Sequence, residues 1–313
     1  MKSRLRPVLP LCPAGWYMLG PSNVKPGKIA HLDLTSASLT WFRPLDGGPV
    51  QIVPSHCPHV GVHLKNGKVV ADGLQCPLHH WVINREGPNQ VNIPFSAVPQ
   101  HLAYGMVFGH VGPEPQFSPP TFQSQNQRWV RPGKAIHFPL PWYVPLVNAF
   151  DMNHLQTVHN RVLVTEPQIE IFGPWTYQLR YTSRVTGTSL ADRLMAWFSD
   201  NRIHISMTCH AGTTLIAESQ VGRYRTAMMM SFRPTPEGVS LLPIYAIGGA
   251  GITRKLAIFL TQFLFNAFLR KDIQILDGIQ FRTDRLGAKD ETLRRFWDFL
   301  NHLPFIESSE VAV

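Results

Sequence analysis

Residues 55–81 read SHCPHVGVHLKNGKVVADGLQCPLHHW, and within them a cysteine and a histidine recur twice, as Cys57-Pro58-His59 and as Cys76-Pro77-Leu78-His79. Thiolates and imidazoles are the preferred protein ligands of zinc and iron. The segment between the pairs holds Asn66-Gly67, a dipeptide that favours a tight hairpin, so the chain can reverse there and bring two loop tips together. Taken alone, four ligands of these types read as a structural zinc site.

Working outward, the chain from Gly15 to about Pro119 is a series of short alternating segments: IAHLDLT, SLTWFR, VQIVPS, KVVADGLQC and WVINREG. Turn signals such as Asp46-Gly47 separate them, which predicts an all-β domain over residues 1–119. The proline-rich PEPQFSPPTF, 113–122, cannot continue a central strand and reads as a linker. A second domain, 120–313, opens on the helix-like NAFDMNHLQTVHNR. Strand-like stretches follow at 175–185, 202–219 and 224–234, then helices over roughly 252–285 and 290–302. The expected fold class is α+β: a β domain followed by an antiparallel sheet closed by a long helix.

Composition narrows the function classes. Of 313 residues 44% are hydrophobic and 16% charged, which predicts a folded globule. Four cysteines are too few for a disulfide scaffold, so a reducing, cytoplasmic setting is expected. Cys12 and Cys209 have no His or Cys neighbour at ligand spacing and read as small buried hydrophobes. Prolines 7, 10 and 13 interrupt what would be the apolar core of a signal peptide. LAIFLTQFLFNAFL, 256–269, falls short of the ~20 residues that span a bilayer and reads as a core helix, with peripheral membrane contact as the alternative. The net charge of +9 comes without a Lys/Arg run, which argues against nucleic acid and leaves an acidic redox partner open. GGAGIT, 248–253, lacks the flanking elements of a nucleotide loop and reads as a turn, and Met228, Met229 and Met230 read as core filling, with the lining of a pocket as the alternative.

Three details weigh against zinc. Proline follows each cysteine, the second tip runs on into His80-Trp81 and a strand, and the residues between His59 and Cys76 include Gly61, Gly67 and Gly73. Together, CPHVG and KNGKVVADGLQCPLHHW resemble the cluster-binding fingerprint of Rieske proteins. The resemblance implies a [2Fe-2S] cluster with Cys57 and Cys76 on one iron and His59 and His79 on the other. His80 lies outside the Cys-x-x-His spacing.

A second constellation follows. NAFDMNHLQTVH, 148–159, contains Asp151-x-x-His154-x-x-x-x-His159 and is similar to the mononuclear-iron segment of Rieske non-heme oxygenases. At about 100° per residue, His154 and His159 lie about 140° apart on a straight helix, so a kink or helix end must separate them. Two histidines need a carboxylate to complete the facial triad of a non-heme Fe(II) oxygenase. AFLRKDIQILDGIQFRTD, 267–284, resembles the late helix that supplies it, and the resemblance puts Asp272 at the ligand position, with Asp277 and Asp284 as competitors.

The GWYMLG opening, YGMVFGHVGPEPQF at 104–117 and the late helix extend the resemblance over most of the chain. It implies an N-terminal Rieske domain and a helix-grip catalytic domain, the terminal oxygenase of a multicomponent system. FLRKDIQIL and RRFWDFLNHLP look most like 3-ketosteroid 9-alpha-hydroxylase oxygenases and related Rieske sterol-modifying enzymes. The implied reaction is hydroxylation or oxidative demethylation of a bulky apolar substrate by dioxygen. Electrons come from a separate ferredoxin or ferredoxin reductase, so NAD(P)H acts only indirectly. The family also implies a homotrimer in which Asp151 bridges the mononuclear iron of one subunit to the cluster of the next. The alternatives are an aromatic-ring dioxygenase, an O- or N-demethylase of a smaller aromatic compound, or a non-enzymatic lipid carrier or electron relay.

Overall fold

The structure, a computed structural model, describes residues 9, 12–84, 86–88, 97–123, 129–221, 224–248 and 254–305. The chain divides into two units. One is Pro10–Pro119 with Pro234–Pro236 and Pro304–Val313; the other is Met1–Leu9, Pro120–Arg233 and Glu237–Leu303. The N-terminal eight residues, Arg85 of WVINREG and residues 249–253 of GGAGIT lie outside the described residues, as do the expectations placed on them.

The first unit is built from β1 (Gly15–Pro21), β2 (Ile29–Asp33), β3 (Ser38–Phe42), β4 (Gln51–Pro54), β5 (Lys68–Val70), β6 (Gly73–Gln75), β7 (Val82–Asn84), β8 (Gly87–Pro88), β9 (Gln100–Ala103) and β10 (Met106–Val111). They form sheets ordered β1-β10-β9, β2-β3-β4 and β5-β6-β7-β8. β1 is largely apolar, and β10 is apolar but for His110, because both faces are covered: six residues of β1 and all of β10 are buried. The two pair antiparallel, with Gly15 opposite Val111. Of the linker expected at 113–122, the part up to Pro119 belongs to this unit, where Trp16 Nε1 donates to Phe117 O at 3.0 Å. Short segments from far along the chain join it as well: Thr35 N donates to Pro234 O at 3.0 Å, and Ala14 N to Pro304 O at 3.1 Å.

The second unit contains β11 (Trp129–Pro132), β12 (Ile136–Phe138), α1 (Tyr143–Ala149), α2 (Met152–Thr157), β13 (Arg161–Leu163), β14 (Gln168–Phe172), β15 (Thr176–Val185), α3 (Leu190–Phe198), β16 (Ile203–His210), β17 (Thr214–Val221), β18 (Tyr224–Thr235), β19 (Gly238–Ile247), α4 (Arg254–Leu276) and α5 (Glu291–Asn301). Its sheet has nine strands along the path β11-β19-β18-β17-β16-β15-β13, with β12 on β19 and β14 on β15. Alternation sets its faces: Tyr177, Leu179 and Tyr181 point to one side of β15, and Gln178, Arg180 and Thr182 to the other. α4 lies on the first side, fixed where Tyr245 Oη donates to Asn266 Oδ1 at 2.8 Å and where the Arg131 guanidinium sits 3.9 Å over the Phe259 ring. The fold is α+β, as the sequence predicts.

Three sequence expectations change. The stretch at 202–219 is two strands, β16 and β17, because Ala211 (φ 48°) and Gly212 (φ 70°) turn the chain between them. The helix expected over 252–285 stops at Leu276, where Gly278 (φ 71°) supplies a left-handed residue just past the end. α4 is also not a wholly buried core helix, since Phe259 and Phe263 are 54% and 50% exposed on its outer side. Among the described residues no helix is long and apolar enough to cross a membrane.

Candidate metal centres

In the first unit the two loop tips have the same backbone plan. Cys57 O accepts from Gly61 N at 2.9 Å, and Cys57 N donates to Val62 O at 2.9 Å. Nineteen positions later Cys76 O accepts from His80 N at 3.2 Å, and Cys76 N donates to Trp81 O at 2.7 Å. Each turn needs a left-handed residue four places after its cysteine, and these are Gly61 (φ 80°) and His80 (φ 59°). The second histidine of the His79-His80 pair thus closes the turn. Gly73 is required by crowding as well as by its φ of 151°, since a Cβ there would lie 2.5 Å from Ile83 O.

This plan sorts the four side chains by chemistry. Cys57 and Cys76 are buried, packed with Leu64, Val69, Leu74 and Ile83 in one apolar cluster. His59 and His79 are exposed, with ring centroids 4.6 Å apart, and His59 stacks on Trp81 at 4.3 Å and 7°. Burial raises the Cys57 thiol pKa, with the adjoining Cys76 thiol adding to it, against backbone N–H groups of His59 and Val60 that favour the thiolate. Two adjoining buried thiols ionise together only with a cation beside them. A thiolate pair inside and an imidazole pair outside fit the two unlike ends of a [2Fe-2S] group.

The second centre forms where α2 meets α4. Phe150 anchors the start of α2, stacked on Phe296 at 3.8 Å and edge-on to Tyr177 at 5.5 Å. Asp151 is the N-cap: its Oδ1 accepts from Asn153 N at 2.8 Å and His154 N at 3.0 Å. α2 ends at Thr157 and Asn160 has a φ of 52°, which supplies the helix end that the 140° offset between the histidines demands. His154 Nε2 and His159 Nε2 stand 3.1 Å apart, and each is 2.8 Å from Asp272 Oδ1.

Three donors at about 2.1 Å from one ion are about 3.0 Å apart when mutually perpendicular and about 3.4 Å apart in a tetrahedron. The observed edges of 2.8, 2.8 and 3.1 Å therefore fit one face of an octahedron, the arrangement of a facial triad. Burial would raise the Asp272 carboxyl pKa, but the two histidines more than reverse this and hold it below the ordinary range. Asp277 is exposed just past the end of α4, and Asp284 is exposed and paired with Arg282 at 3.2 Å. Neither joins the cluster.

The groups packed around this centre are not visible in the sequence. Asn148 Nδ2 lies 3.2 Å from His154 Nε2. The His159 ring stacks on Phe268 at 4.2 Å and 15°, and its carbonyl accepts from Arg161 Nη1 at 2.9 Å. The same Nη1 donates to Asp192 Oδ1 on α3 at 2.8 Å. Asn148 lay inside the quoted motif, but a lone asparagine carries no ligand signal, and nothing in the sequence pairs Arg161 with Asp192.

The triad borders a cavity of ≈ 390 Å³ between the sheet and α4, lined by Met207, Met228, Met230, Leu260, Leu264 and Phe268 among others. Of the three methionines that the sequence leaves between core and pocket, Met228 and Met230 line this cavity by period-two alternation, while Met229 faces the other side and fills core.

Residues 15–101 match the family described as the Rieske [2Fe-2S] domain. The cholesterol 7-desaturase of Xenopus laevis is 32% identical over 176 residues, 51% of this chain and 38% of that protein. The oxygenase component of 3-ketosteroid-9-alpha-monooxygenase from Mycolicibacterium smegmatis is 29% identical over 90 residues, 28% of this chain and 23% of that protein. The matched part thus spans less than two-fifths of either relative. A solved structure of Pseudomonas putida CBB5 NdmA with caffeine shares the fold, with a TM-score of 0.68 over 91% of this chain and 89% of that one at 15% identity. The resemblance to Rieske oxygenases read from the two motifs is borne out by domain, relatives and fold.

Proposed function

We propose that this chain, which carries a Rieske domain and is related to the Rieske oxygenases, is a terminal oxygenase acting on an elongated, bulky, apolar molecule of the sterol or steroid class. Cys57, His59, Cys76 and His79 would hold the [2Fe-2S] cluster, and His154, His159 and Asp272 a mononuclear Fe(II). When bound, these groups supply one-electron transfer and dioxygen activation. The net reaction inserts one oxygen atom into a C–H bond and releases the other as water. A separate ferredoxin or reductase supplies two electrons, and solvent two protons. At an O- or N-methyl group the same insertion yields demethylation.

The observation that carries this reading is the facial-triad geometry opening into an apolar cavity. The face of α4 that borders it runs from Ala257 to Asp272, about 22 Å at ~1.5 Å per residue, which suits a long molecule better than a single aromatic ring. The chain's own residues have clear tasks. The Phe268 stack and the Asp151 cap fix the placement of the two histidines, the methionines and leucines exclude water, and the +9 charge attracts an acidic donor. Asp151 takes a second role beyond its cap, with the carboxylate linking His154 to His59 or His79 of the next subunit in a trimeric ring.

The test is a substrate screen with purified protein, a surrogate ferredoxin system and isotopically labelled dioxygen, read by mass spectrometry. Label should enter a sterol or steroid. Turnover confined to small aromatic acids or methylxanthines would replace this reading with the aromatic one.

A further inference from the structure

By register, Tyr181, Ile205, Ser219 and Thr226 form one row across β15, β16, β17 and β18 on the cavity side. In the rows beside it the cavity meets Met207, Leu215, Ala217, Met228 and Met230. Within this row Ser219 Oγ and Thr226 Oγ1 are hydrogen-bonded to each other at 2.8 Å. Glu218 also borders the cavity, but alternation sends its side chain to the opposite face.

The hydroxyl pair lies far from the triad. β13 starts two residues after His159 and pairs with β15, so three to four strand spacings, about 14–19 Å at ~4.8 Å each, separate it from β17 and β18. Gly248 N donates to Arg225 O at 2.8 Å, which sets the start of β18 beside the end of β19. Ile247 and Ala257 border the cavity there, at the end of α4 remote from Asp272.

Two hydroxyls that share one hydrogen bond still offer one O–H donor and several lone pairs. In an apolar cavity they can satisfy a single neutral group that both donates and accepts, or only accepts, while a charged group would be left uncompensated. We infer that Ser219 and Thr226 are a polar anchor for one hydroxyl or carbonyl group at the remote end of the substrate. The anchor selects which carbon of a rigid, elongated molecule reaches the triad. This rests on the reading of the cavity as the site of an elongated apolar substrate.

The test compares equilibrium binding of a 3-hydroxysteroid and its 3-deoxy counterpart to the holoenzyme. Wild type should prefer the hydroxylated ligand by roughly three- to tenfold, the worth of one hydrogen bond. Ser219→Ala/Thr226→Val should abolish the preference, and Thr226→Ser should retain it. A merely structural role would shift both ligands equally. Persistence of the preference in the double variant, or its absence in a wild type that binds both, overturns the anchor. Binding of neither ligand overturns the elongated-substrate reading, and the anchor with it.

Discussion

Arg161→Leu tests whether the pair beside the triad is as consequential as its burial implies. The Arg161 and Asp192 side chains are 3% and 5% exposed, and their Nη1 and Oδ1 atoms are 2.8 Å apart. Removing one partner of such a pair costs about 3–5 kcal/mol, because the other charge stays buried. Asp192 would keep Ser189 Oγ, which donates at 2.6 Å, so the lower half of that range applies. With a urea m-value of about 2–3 kcal/mol per M, the unfolding midpoint should fall by roughly 1–2 M at pH 7. The pH dependence should flatten. In the native protein burial raises the Asp192 pKa, but Ser189 and Arg161 outweigh it and leave it depressed. That stability is present above the unfolded carboxyl value of about 4 and is lost as pH falls through the native one. Without Arg161 only Ser189 and Lys271 still oppose burial, so the folded pKa moves up and the variant should lose less stability than the wild type as pH falls. Replacing both residues with leucine should cost less than the two single changes summed. A loss below about 1 kcal/mol, with the wild-type pH slope retained, would reduce the pair to the standing of a surface bridge.

Asp272→Ala should remove the mononuclear iron and turnover while the visible spectrum of the cluster persists, whereas Asp277→Ala should leave both metals in place; the reverse outcome would mean the wrong carboxylate. Asp151→Asn should keep stability within a few tenths of a kcal/mol, since asparagine caps a helix as well as aspartate does. It should nonetheless slow single-turnover oxidation of the reduced cluster at least tenfold, and wild-type kinetics there would leave Asp151 as a cap alone. The second-order rate of reduction by an acidic ferredoxin should fall as salt rises, and a flat profile would detach the +9 charge from donor docking.

The parts of this molecule visible in its sequence are those with a short period or a fixed spacing. Turn signals and alternation located the β domain, and the Cys–His repeat located both loop tips. The five-residue separation of His154 from His159 required a helix end, and Thr157 supplies it. What stayed hidden depends on contacts distant in sequence. Asp192 meets Arg161 across 31 residues, and Phe268 reaches His159 across more than a hundred. The methionines of β18 could not be divided between core and cavity until α4 was in place. Spacing sets His80 apart from the ligands, but its part as the turn residue, matching Gly61 in the other tip, shows only in its left-handed φ.

The assignment of two iron centres to one chain is tested most directly by iron and acid-labile sulfide analysis of anaerobically reconstituted protein, alongside the electron paramagnetic resonance of its reduced form. About three irons and about two sulfides per chain are predicted, with a Rieske signal, and Asp272→Ala should lose about one iron and no sulfide. A colourless protein holding stoichiometric zinc at Cys57, His59, Cys76 and His79 would contradict it.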